Sequence, residues 1–561
     1  MKSLKLLILL SGILNLTNPE GAAQSFNWNW AQSFGGQLNE YCTSATSDND
    51  GNLVMTGSFK SSILSLGSFN LTNTNSSHYD FFVAKINPEG NVIWAVSGGS
   101  DNSDLSTEVA VSSDGSIFIG GHFSSSSMII GSDTLINTSM PDMPDLFVAK
   151  LDSDGNFLEA ISSKGDFTEM IRGIATDGSG NLYIGGGFMS DWMILGNDTL
   201  FNNGIMDVFL AKLDNELNVS WTKHIGGESS DLISDLQTDN DNNVFISGCY
   251  YSQDFYFDTT YFSGIGNGYE NAYNFKCNSE GELVWYFIPV NSGVHSTCER
   301  IAPAGDGNFY LAGRYKGNEF IIGSDTLALS ADDFDFWIAK FSADHSLIWT
   351  NSMGSDLMDY LDEMVAIQDN GLLFAGEFLG SSLTIGSDTL YNTNPEISKA
   401  FIARFDDGGM AQSATGLDGN GTNNITSLVQ TGIDEIFVSG IFTSDTLHFG
   451  NQSILNAGEY DIFCASVYFT QTQIQKTRLS SEIIVYPNPA HERINLRYPK
   501  IQSGLLDIKI YNSSGVEIRS EKLKAEDGIY HFDVSNLEPG IYFIFLESTG
   551  KISKAEKIAV F

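Results

Sequence analysis

The sequence predicts an all-β protein: a seven-bladed β-propeller closed by its N-terminal strand, followed by a small C-terminal immunoglobulin-like β-sandwich. Three observations lead to this prediction. A motif recurs seven times, every copy has strand-type alternation, and the repeat is out of phase with the chain. No segment shows sustained helical periodicity, so an all-α or α/β class is excluded.

The repeat is most easily seen in a four-residue motif, "FVAK", whose copies lie 62 to 65 residues apart. A second motif, typified by "GNLYIGGGF", precedes each copy, and "IGSDTL" or a relative lies between the two. The seven copies of the first motif are Phe82–Lys85, Phe147–Lys150, Phe209–Lys212, the segment around Phe275, Trp337–Lys340, Phe401–Arg404 and Phe463–Ser466.

Each copy has the pattern of four antiparallel strands. Segments such as "NLYIGGGF" and "DVFLAKLD" alternate β-branched or aromatic residues with small or polar ones. Turns such as "DNDGN" and "DSDGN" place Gly or Asn where a tight turn needs a positive φ. Four strands repeated seven times predict a seven-bladed propeller over residues 24–469.

The phase of the repeat predicts how the ring closes. The seventh copy stops after its third strand at "DIFCASVYF", residues 461–469, whereas "NWAQSFGG" at residues 29–36 is a fourth strand without the preceding three. We therefore expect the N-terminal strand to complete the seventh blade. Such closure also covers sheet edges that would otherwise invite aggregation.

The repeat resembles the bacterial seven-bladed propeller repeats known as SBBP repeats, with their "DGN-Y-G-F" and "D-F-AK-D-G-W" cores. The resemblance covers about residues 28–469 and implies the propeller fold. It implies almost nothing about a ligand, because propellers host many functions.

The first residues have the pattern of an export signal. Lys2 and Lys5 precede an apolar run, and small residues lead to Gln24, so residues 1–23 are predicted to be a signal peptide. That run is too short to cross a bilayer, and no other stretch predicts a transmembrane segment.

Formal charge separates two regions. Residues 24–475 contain 14 Lys and Arg and 57 Asp and Glu, so 14 − 57 = −43, whereas residues 480–561 are nearly neutral at 10 against 11. The acidic region would repel phosphate backbones, so nucleic acid is excluded as a partner. The polar residues 470–482 are predicted to be a linker.

Residues 483–561 are predicted to form about seven short strands with hairpin turns, which suggests the β-sandwich. The segments "VYPNPA" and "SNLEPGIYFI", with the basic stretch "KISKAEKIAVF", resemble the type A sorting domain of the type IX secretion system. The resemblance implies a Bacteroidetes-type bacterium, a partner in the type IX machinery, and a location that is secreted or on the outer cell surface. The motif residues are Pro487, Asn488, Pro489, Leu537, Gly540 and Tyr542.

The propeller region shows no catalytic constellation. It has four arginines and six scattered histidines, without a metal-ligand spacing, an Asp box or a nucleophile elbow. No cofactor is predicted. Calcium is the one candidate, because the turns "DNDGN" and "DSDGN" begin like calcium loops, although turn chemistry alone explains them. Cys249 and Cys277 lie in one repeat, and either a disulfide or two buried thiols would fit.

Two further sets of residues are candidate sites. Four acids occupy one column of consecutive repeats, 11 residues before the turn, and are predicted to ring one mouth of the channel: Glu40, Asp104, Glu169 and Asp231. They would bind a ligand or, alternatively, hold their own loops. The recurrent "DTL" resembles a bacterial O-glycosylation motif, or is only a hairpin tip, at Thr134, Thr199, Thr326, Thr389 and Thr446.

The predicted function is an exported cell-surface or released binding or adhesion module whose ligand is an extracellular protein or glycan. The alternative is a secreted polysaccharide-acting hydrolase or lyase on a propeller scaffold. The scarcity of Arg and His argues against the enzyme, although propeller sites can be assembled across blades.

Overall fold

The structure is a computed structural model of the chain. It describes residues 25–263, 269–289, 295–317, 320–327, 333–368, 371–432 and 435–470, and parts of 484–560. Ser25–Phe469 form one compact unit, and the described strands between residues 484 and 560 belong to a second. The predicted signal peptide, nearly all of the predicted linker and the motif residues Pro487, Asn488 and Pro489 lie outside the described residues.

The first unit begins with a strand that precedes the first complete repeat, β1 (Ser25–Phe34). The strands of blade 1 are β2 (Glu40–Ser47), β3 (Leu53–Phe59), β4 (Ile63–Leu66), β5 (Phe69–Thr72), β6 (Asp80–Ile86) and β7 (Val92–Gly98). Those of blade 2 are β8 (Asp104–Val111), β9 (Ile117–Phe123), β10 (Ser127–Ile130), β11 (Asp133–Ile136), β12 (Asp145–Leu151) and β13 (Phe157–Ser162). Those of blade 3 are β14 (Glu169–Thr176), β15 (Leu182–Phe188), β16 (Trp192–Leu195), β17 (Asp198–Phe201), β18 (Asp207–Leu213) and β19 (Val219–Gly227).

Blades 4 to 7 repeat the same order. The strands of blade 4 are β20 (Asp231–Thr238), β21 (Val244–Tyr250), β22 (Asp254–Phe257), β23 (Thr260–Ser263), β24 (Asn271–Cys277) and β25 (Leu283–Phe287). Those of blade 5 are β26 (His295–Ser296), β27 (Arg300–Pro303), β28 (Phe309–Lys316), β29 (Phe320–Ile322), β30 (Asp325–Leu327), β31 (Asp335–Phe341) and β32 (Leu347–Met353). Those of blade 6 are β33 (Asp359–Ala366), β34 (Leu372–Phe378), β35 (Ser382–Ile385), β36 (Asp388–Tyr391), β37 (Lys399–Phe405) and β38 (Ala411–Gly416). Those of blade 7 are β39 (Asn423–Gln430), β40 (Glu435–Phe442), β41 (Thr446–Phe449), β42 (Gln452–Leu455) and β43 (Asp461–Thr470).

The strand order confirms the predicted propeller and its closure. In blades 1 to 6 the four main strands pair antiparallel in chain order, as in β2-β3-β6-β7. In blade 7 the order is β39-β40-β43-β1, so the N-terminal strand is the outermost strand of the last blade. At this junction Phe26 packs edge-on against Phe469, with 5.2 Å between ring centroids.

A short hairpin, formed from the "GSDTL" segment in three of the blades and from "GNDTL" in blade 3, covers the outermost strands. In blade 2 the carboxylate of Asp133 in β11 accepts a hydrogen bond of 2.9 Å from the Ala160 backbone amide in β13. In blade 4 the hairpin β22–β23 pairs with β19 of blade 3 and extends that sheet to six strands. The hairpins thus occupy backbone groups at sheet edges that would otherwise be open to another chain.

Tryptophans on fourth strands join neighbouring blades. The indole Nε1 of Trp94 in blade 1 donates to the Ser153 carbonyl, in the turn between β12 and β13 of blade 2, at 3.1 Å. The Lys85 ammonium donates to the same carbonyl at 3.4 Å and also pairs with Asp48 of its own blade. The equivalent indole bonds are Trp30 to Pro88, Trp221 to Ser279 and Trp349 to Asp407. We call each such contact an indole clasp.

A glycine lies under each clasping indole. Gly155 has a φ of 84°, and a Cβ built on it would lie 2.8 Å from the Trp94 ring. The left-handed backbone and the close approach of the ring both exclude an ordinary side chain there. The turn glycine of a blade therefore contacts the indole of the preceding blade, whereas the Trp of a fourth strand contacts the turn of the next blade.

In the described residues three interfaces have no such clasp. Glu159 stands in the Trp position of blade 2, and Trp285 of blade 4 stacks on His345 of blade 5 instead of on a glycine.

Between blades 6 and 7 chain topology explains the absence of a clasp, because the third and fourth strands of blade 7 belong to the two ends of the unit and no turn joins them. In blade 6 Ser413 stands in the Trp position, and Arg404 replaces the motif lysine. Its guanidinium lies over the Phe469 ring, 4.7 Å from the centroid, in a cation–π contact.

The second unit consists of two antiparallel sheets. The first contains β44 (Ile484–Tyr486), β45 (Arg493–Arg497) and β48 (Ile529–Asp533), and the second contains β46 (Leu505–Asn512), β47 (Glu517–Lys524), β49 (Gly540–Ser548), β50 (Lys551–Ile552) and β51 (Glu556–Val560). Two sheets with a buried face each agree with a sandwich, and the immunoglobulin-like topology stays a prediction.

Loss of β1 is expected to open the ring. A chain that begins at Gln37 lacks the outermost strand of blade 7 and the Trp30 clasp to blade 1, so β43 is left as an unpaired edge. We expect a markedly lower Tm and increased aggregation relative to a chain that begins at Gln24, measured by calorimetry. An unchanged melting profile would contradict the closure.

Candidate functional site

The four predicted ligand-binding acids are the first residues of the innermost strands of blades 1 to 4. All four side chains are fully buried. Burial raises the pKa of Asp104 to about 6 and that of Glu169 to about 8, and it also raises the pKa of Glu40 and of Asp231. Ligand binding by these carboxylates stays a prediction, and their burial argues against it.

Asp231 shows what these acids do in the fold. Its carboxylate accepts hydrogen bonds from the Gly227 amide at 2.8 Å, from the Tyr251 and Ser252 amides at 3.1 and 3.2 Å, and from the Ser252 hydroxyl at 2.7 Å. Gly227 ends blade 3, whereas Ser252 follows the second strand of blade 4. The carboxylate therefore ties the loop that arrives from the preceding blade to its own blade, which is the alternative interpretation of the column.

The candidate glycosylation threonines lie on the covering hairpins. Thr134, Thr199, Thr326 and Thr389 are exposed and follow the aspartate that begins the second hairpin strand. Thr446 is half-buried and begins the first hairpin strand of blade 7, so its motif is not structurally equivalent to the other four. Glycosylation stays a prediction at all five.

The acidic turns are held by their own hydrogen bonds. The Asp48 carboxylate accepts from the Asp50 and Asn52 amides at 2.9 and 2.8 Å and from the Asn52 side chain at 2.9 Å. Within the described residues, no group of three or more His, Cys, Asp or Glu is arranged to hold a metal ion. Turn chemistry thus accounts for these aspartates, and a calcium ligand role stays untested.

The five cysteines are free thiols buried in the propeller. Cys249 and Cys277 lie at opposite ends of the paired strands β21 and β24, where Cys249 faces Ala272 and Cys277 faces Val244. The suggested disulfide between them is therefore wrong, and the alternative of two buried thiols holds.

The innermost strands share a β-bulge that points to a different site. In blades 1, 2, 3, 4, 6 and 7 the register with the second strand shifts at the fourth residue of the innermost strand. In blade 5 the strand is interrupted at the same place, between β26 and β27. A bulge bends the strand and redirects its side chains. The residues at and after the bulge line a central channel with a cavity of about 540 Å³.

Charged residues occupy these bulge positions in blades 2 to 6, whereas blades 1 and 7 carry Ser and Thr. The Arg300 guanidinium lies 3.6 Å from the Glu363 carboxylate and donates to the Glu299 carbonyl at 2.8 Å. The Asp235 carboxylate accepts the Ile301 amide at 2.8 Å. One guanidinium therefore lies beside carboxylates from two neighbouring blades.

Burial dominates the protonation of these acids. It raises the pKa of Glu108 to about 8 and that of Glu363 to about 7, although the nearby Arg300 opposes both shifts. The same cause raises the pKa of Asp235. Burial therefore opposes ionisation of all three channel carboxyl groups.

A second cavity, of about 570 Å³, lies at the mouth where the innermost strands begin. It shares Arg300 with the channel and is also lined by Asp362, Asn424 and the rings of Tyr41 and Tyr460. These two rings lie 5.5 Å apart. We call this second cavity the mouth cavity.

Sequence comparison of the repeats did not identify the mouth cavity. The four acids that it singled out stand three and four residues before the bulge positions. The usable signal was variation among copies, since Arg172, Asp362 and Glu363 replace the Ser, Thr or Gly of other blades. Tyr41 and Tyr460 carried no signal, because the fold alone brings the first blade beside the last.

Comparison with known proteins identifies the second unit. Residues 484–560 match the family model described as the secretion system C-terminal sorting domain. They are a type IX secretion sorting domain. The protein is thus secreted by that system to the cell surface or the extracellular space, which confirms the predicted export route. Leu537, Gly540 and Tyr542 of its motif are described, and Tyr542 is buried.

The propeller has more distant relatives. An uncharacterized WD repeat-containing protein of Acanthamoeba polyphaga mimivirus is 27% identical in an alignment of 324 positions that covers 45% of this chain and 22% of that relative. A protein of unknown function from Dyadobacter fermentans (10% identity, TM-score 0.37) aligns over 79% of this chain and 99% of its own. Sqt1 from Chaetomium thermophilum (8% identity, TM-score 0.38) aligns over 80% and 100%. None of these similarities gives information on function.

In the described residues, no helix is long and apolar enough to cross a membrane.

Replacing Asp231 with Ala tests the structural role of the acid column. The Ser252 hydroxyl and three amides would lose their buried acceptor, so we expect the free energy of unfolding to fall by about 3 kcal/mol. Asp241→Ala, in an exposed turn of the same blade, is the matched control and should cost little. Equal stability of the two variants in denaturant titrations would contradict the role.

The channel acids predict that the propeller becomes less stable as pH rises. The pKa values of Glu108 and Glu363 in the folded state lie above the unfolded value of 4.5. At pH values between the unfolded and folded pKa values, the folded state therefore binds more protons than the unfolded state. We expect Tm to fall by several degrees between pH 5 and pH 8.5. Glu108→Gln should reduce that fall, whereas Glu89→Gln, in an exposed turn, should not. A Tm that rises over this range would refute the assignment.

Proposed function

We propose that this secreted propeller is a non-enzymatic binding module that recognises an extracellular partner at the mouth cavity. The observation that carries the proposal is the composition of that cavity. It combines two tyrosine rings, a guanidinium, a carboxylate and an amide, which is the mixture of apolar and polar groups typical of recognition sites.

Several polar groups of the propeller have structural partners that account for them. Asp231 holds a loop, Asp48 holds a turn, and Lys85 joins two blades. Asp362 has a shielded carboxylate oxygen, Oδ2, without a hydrogen-bond partner, and of the four propeller aspartates with such an oxygen in the described residues it is the one that lines the mouth cavity. A buried acceptor without a partner is costly, so its presence favours a role in binding.

An enzymatic alternative has less support. A hydrolase or lyase needs an acid and a base on either side of a bound substrate. The channel acids lie beside Arg300 in a cavity of about 540 Å³, which is small for a polysaccharide chain. We therefore keep the hydrolase or lyase as the outcome that would refute the proposal. Adhesion is one form of the proposed binding, since the sorting domain delivers the propeller to the cell surface or the medium.

The covering hairpins carry a separate proposal. Thr134, Thr199, Thr326 and Thr389 are exposed on the outside of their blades, away from the channel. Glycans at these positions would cover hairpin surface without obstructing the mouth cavity. Because these threonines are exposed and lie in the sequence motif, we propose them as modification sites.

Arrays of glycans and extracellular proteins, probed with residues 24–469, test the binding proposal. We expect at least one ligand whose binding is lost in Tyr41→Ala and kept in Tyr286→Ala, an exposed tyrosine on the outer strand β25. Ligands that bind both variants equally would place recognition elsewhere. Turnover of any polysaccharide in a parallel panel would sink the non-enzymatic proposal.

A further inference from the structure

We infer that the mouth cavity receives a cationic side chain, lysine or arginine, from a basic segment of an extracellular protein. This inference rests on the proposed binding function and names the chemistry of its ligand. Three observations carry it: the balance of charge, the position and surroundings of Asp362, and the two tyrosine rings that line the cavity.

Carboxylates outnumber cations around the cavity. The channel and its mouth are lined by Glu108, Asp235, Asp362 and Glu363, but only by Arg172 and Arg300 as cations. Arg300 pairs with Glu363 and cannot neutralise all four acids. Burial opposes ionisation of the carboxyl groups that no arginine pairs with, and a ligand cation beside them would favour their ionised form.

Asp362 is the carboxylate best placed for that cation. Its neighbour Glu377 accepts hydrogen bonds from the Asn424 amide and the Ser398 hydroxyl, so Glu377 is already engaged within the fold. Asp362 lines the cavity, and its shielded Oδ2 has no hydrogen-bond partner. Burial and the nearby Glu377 raise its pKa, although Arg300 and a hydrogen bond from the Ile425 backbone amide oppose the shift.

The tyrosines supply a second cation-binding element. At the same end of the propeller, Lys60 lies over the Tyr79 ring at 5.6 Å and Arg314 over the Tyr360 ring at 5.3 Å. Within the described residues, neither Tyr41 nor Tyr460 has a cation over its ring, although both line the mouth cavity. A ligand ammonium or guanidinium between these rings and Asp362 would gain cation–π and ionic contacts together.

Other ligand chemistries fit less well. Within the described residues no cluster of three or more potential ligands suits a metal ion, so the cation is organic. Phosphates and acidic sugars would be repelled by the cavity and by a propeller region whose net formal charge is 14 − 57 = −43. The same field would steer a basic protein segment toward the protein.

Calorimetric titration of residues 24–469 with a hexalysine peptide tests the inference, with the fully Nε-acetylated peptide as the ligand control. Hexalysine should bind and the acetylated peptide should not. Asp362→Asn should weaken hexalysine binding by about tenfold while Tm is retained. Glu89→Gln removes the same charge from an exposed turn and should leave the affinity unchanged.

Two tyrosine variants separate the ring from the hydroxyl. Tyr41→Phe keeps the aromatic face and should retain most of the affinity, whereas Tyr41→Leu should lose it. Equal weakening by Asp362→Asn and Glu89→Gln would overturn the inference, because only the general field would then attract the peptide. Binding of the acetylated peptide as tightly as hexalysine would overturn it too.

Failure of this inference is distinguishable from failure of the binding proposal. A neutral glycan or protein that needs Tyr41 but tolerates Asp362→Asn would refute the cationic ligand and leave the mouth cavity as the binding site. A mouth cavity whose variants change no binding at all would refute both.

Discussion

The propeller depends on one recurring contact, the indole clasp between the fourth strand of one blade and the last turn of the next. The indole donates its only hydrogen bond to a turn carbonyl and packs on a glycine that has no room for a side chain. At the four interfaces that have it, one blade contributes the indole and the next blade around the ring contributes the glycine, so the contact has the same direction at each place around the ring. The clasping tryptophans are half-buried, and each combines apolar packing with a satisfied indole N–H.

The same contact gives the N-terminal strand its importance. β1 carries Trp30, which clasps the turn of blade 1, and β1 itself pairs with β43. One strand therefore makes both the last sheet pairing and the last clasp of the ring. The opposite interface, between blades 6 and 7, has no turn to clasp and uses Arg404 over Phe469 instead. At this interface the repeat departs from its consensus where the topology requires it.

Closure also creates the candidate site. Tyr41 belongs to blade 1 and Tyr460 to blade 7, and they meet only because the two blades are neighbours in the closed ring. Arg300 and Asp362 reach the same cavity from blades 5 and 6 because the innermost strands bulge at a common position. Ring geometry thus places side chains from distant parts of the sequence around one mouth. The sorting domain determines only where the protein is delivered.

Sequence patterns predicted the fold well because strand alternation, turn residues and the shifted repeat are local signals that all agree. The phase shift identified β1 as the strand that completes blade 7. The site was predicted poorly for a physical reason. A column of acids such as Asp104 and Asp231 looks the same in sequence whether it faces a ligand or accepts buried amides. Only the positions of Ser125 and Ser252 distinguish the two. The tyrosine pair depends on how the closed ring places Tyr41 beside Tyr460, and the repeat pattern predicts the closure but not this side-chain contact.

Native-state hydrogen exchange tests the central claim, that β1 is an integral strand of the closed ring. The account predicts that the amides of β1 bonded to β43 exchange only with the opening of blades 7 and 1, with the same free energy as amides of β43 and β3. That free energy should fall in β1, β43 and β3 together when Trp30 is replaced by Ala. If the β1 amides exchanged independently, with a much lower opening free energy than β43, the strand would be an added edge and the account would be wrong.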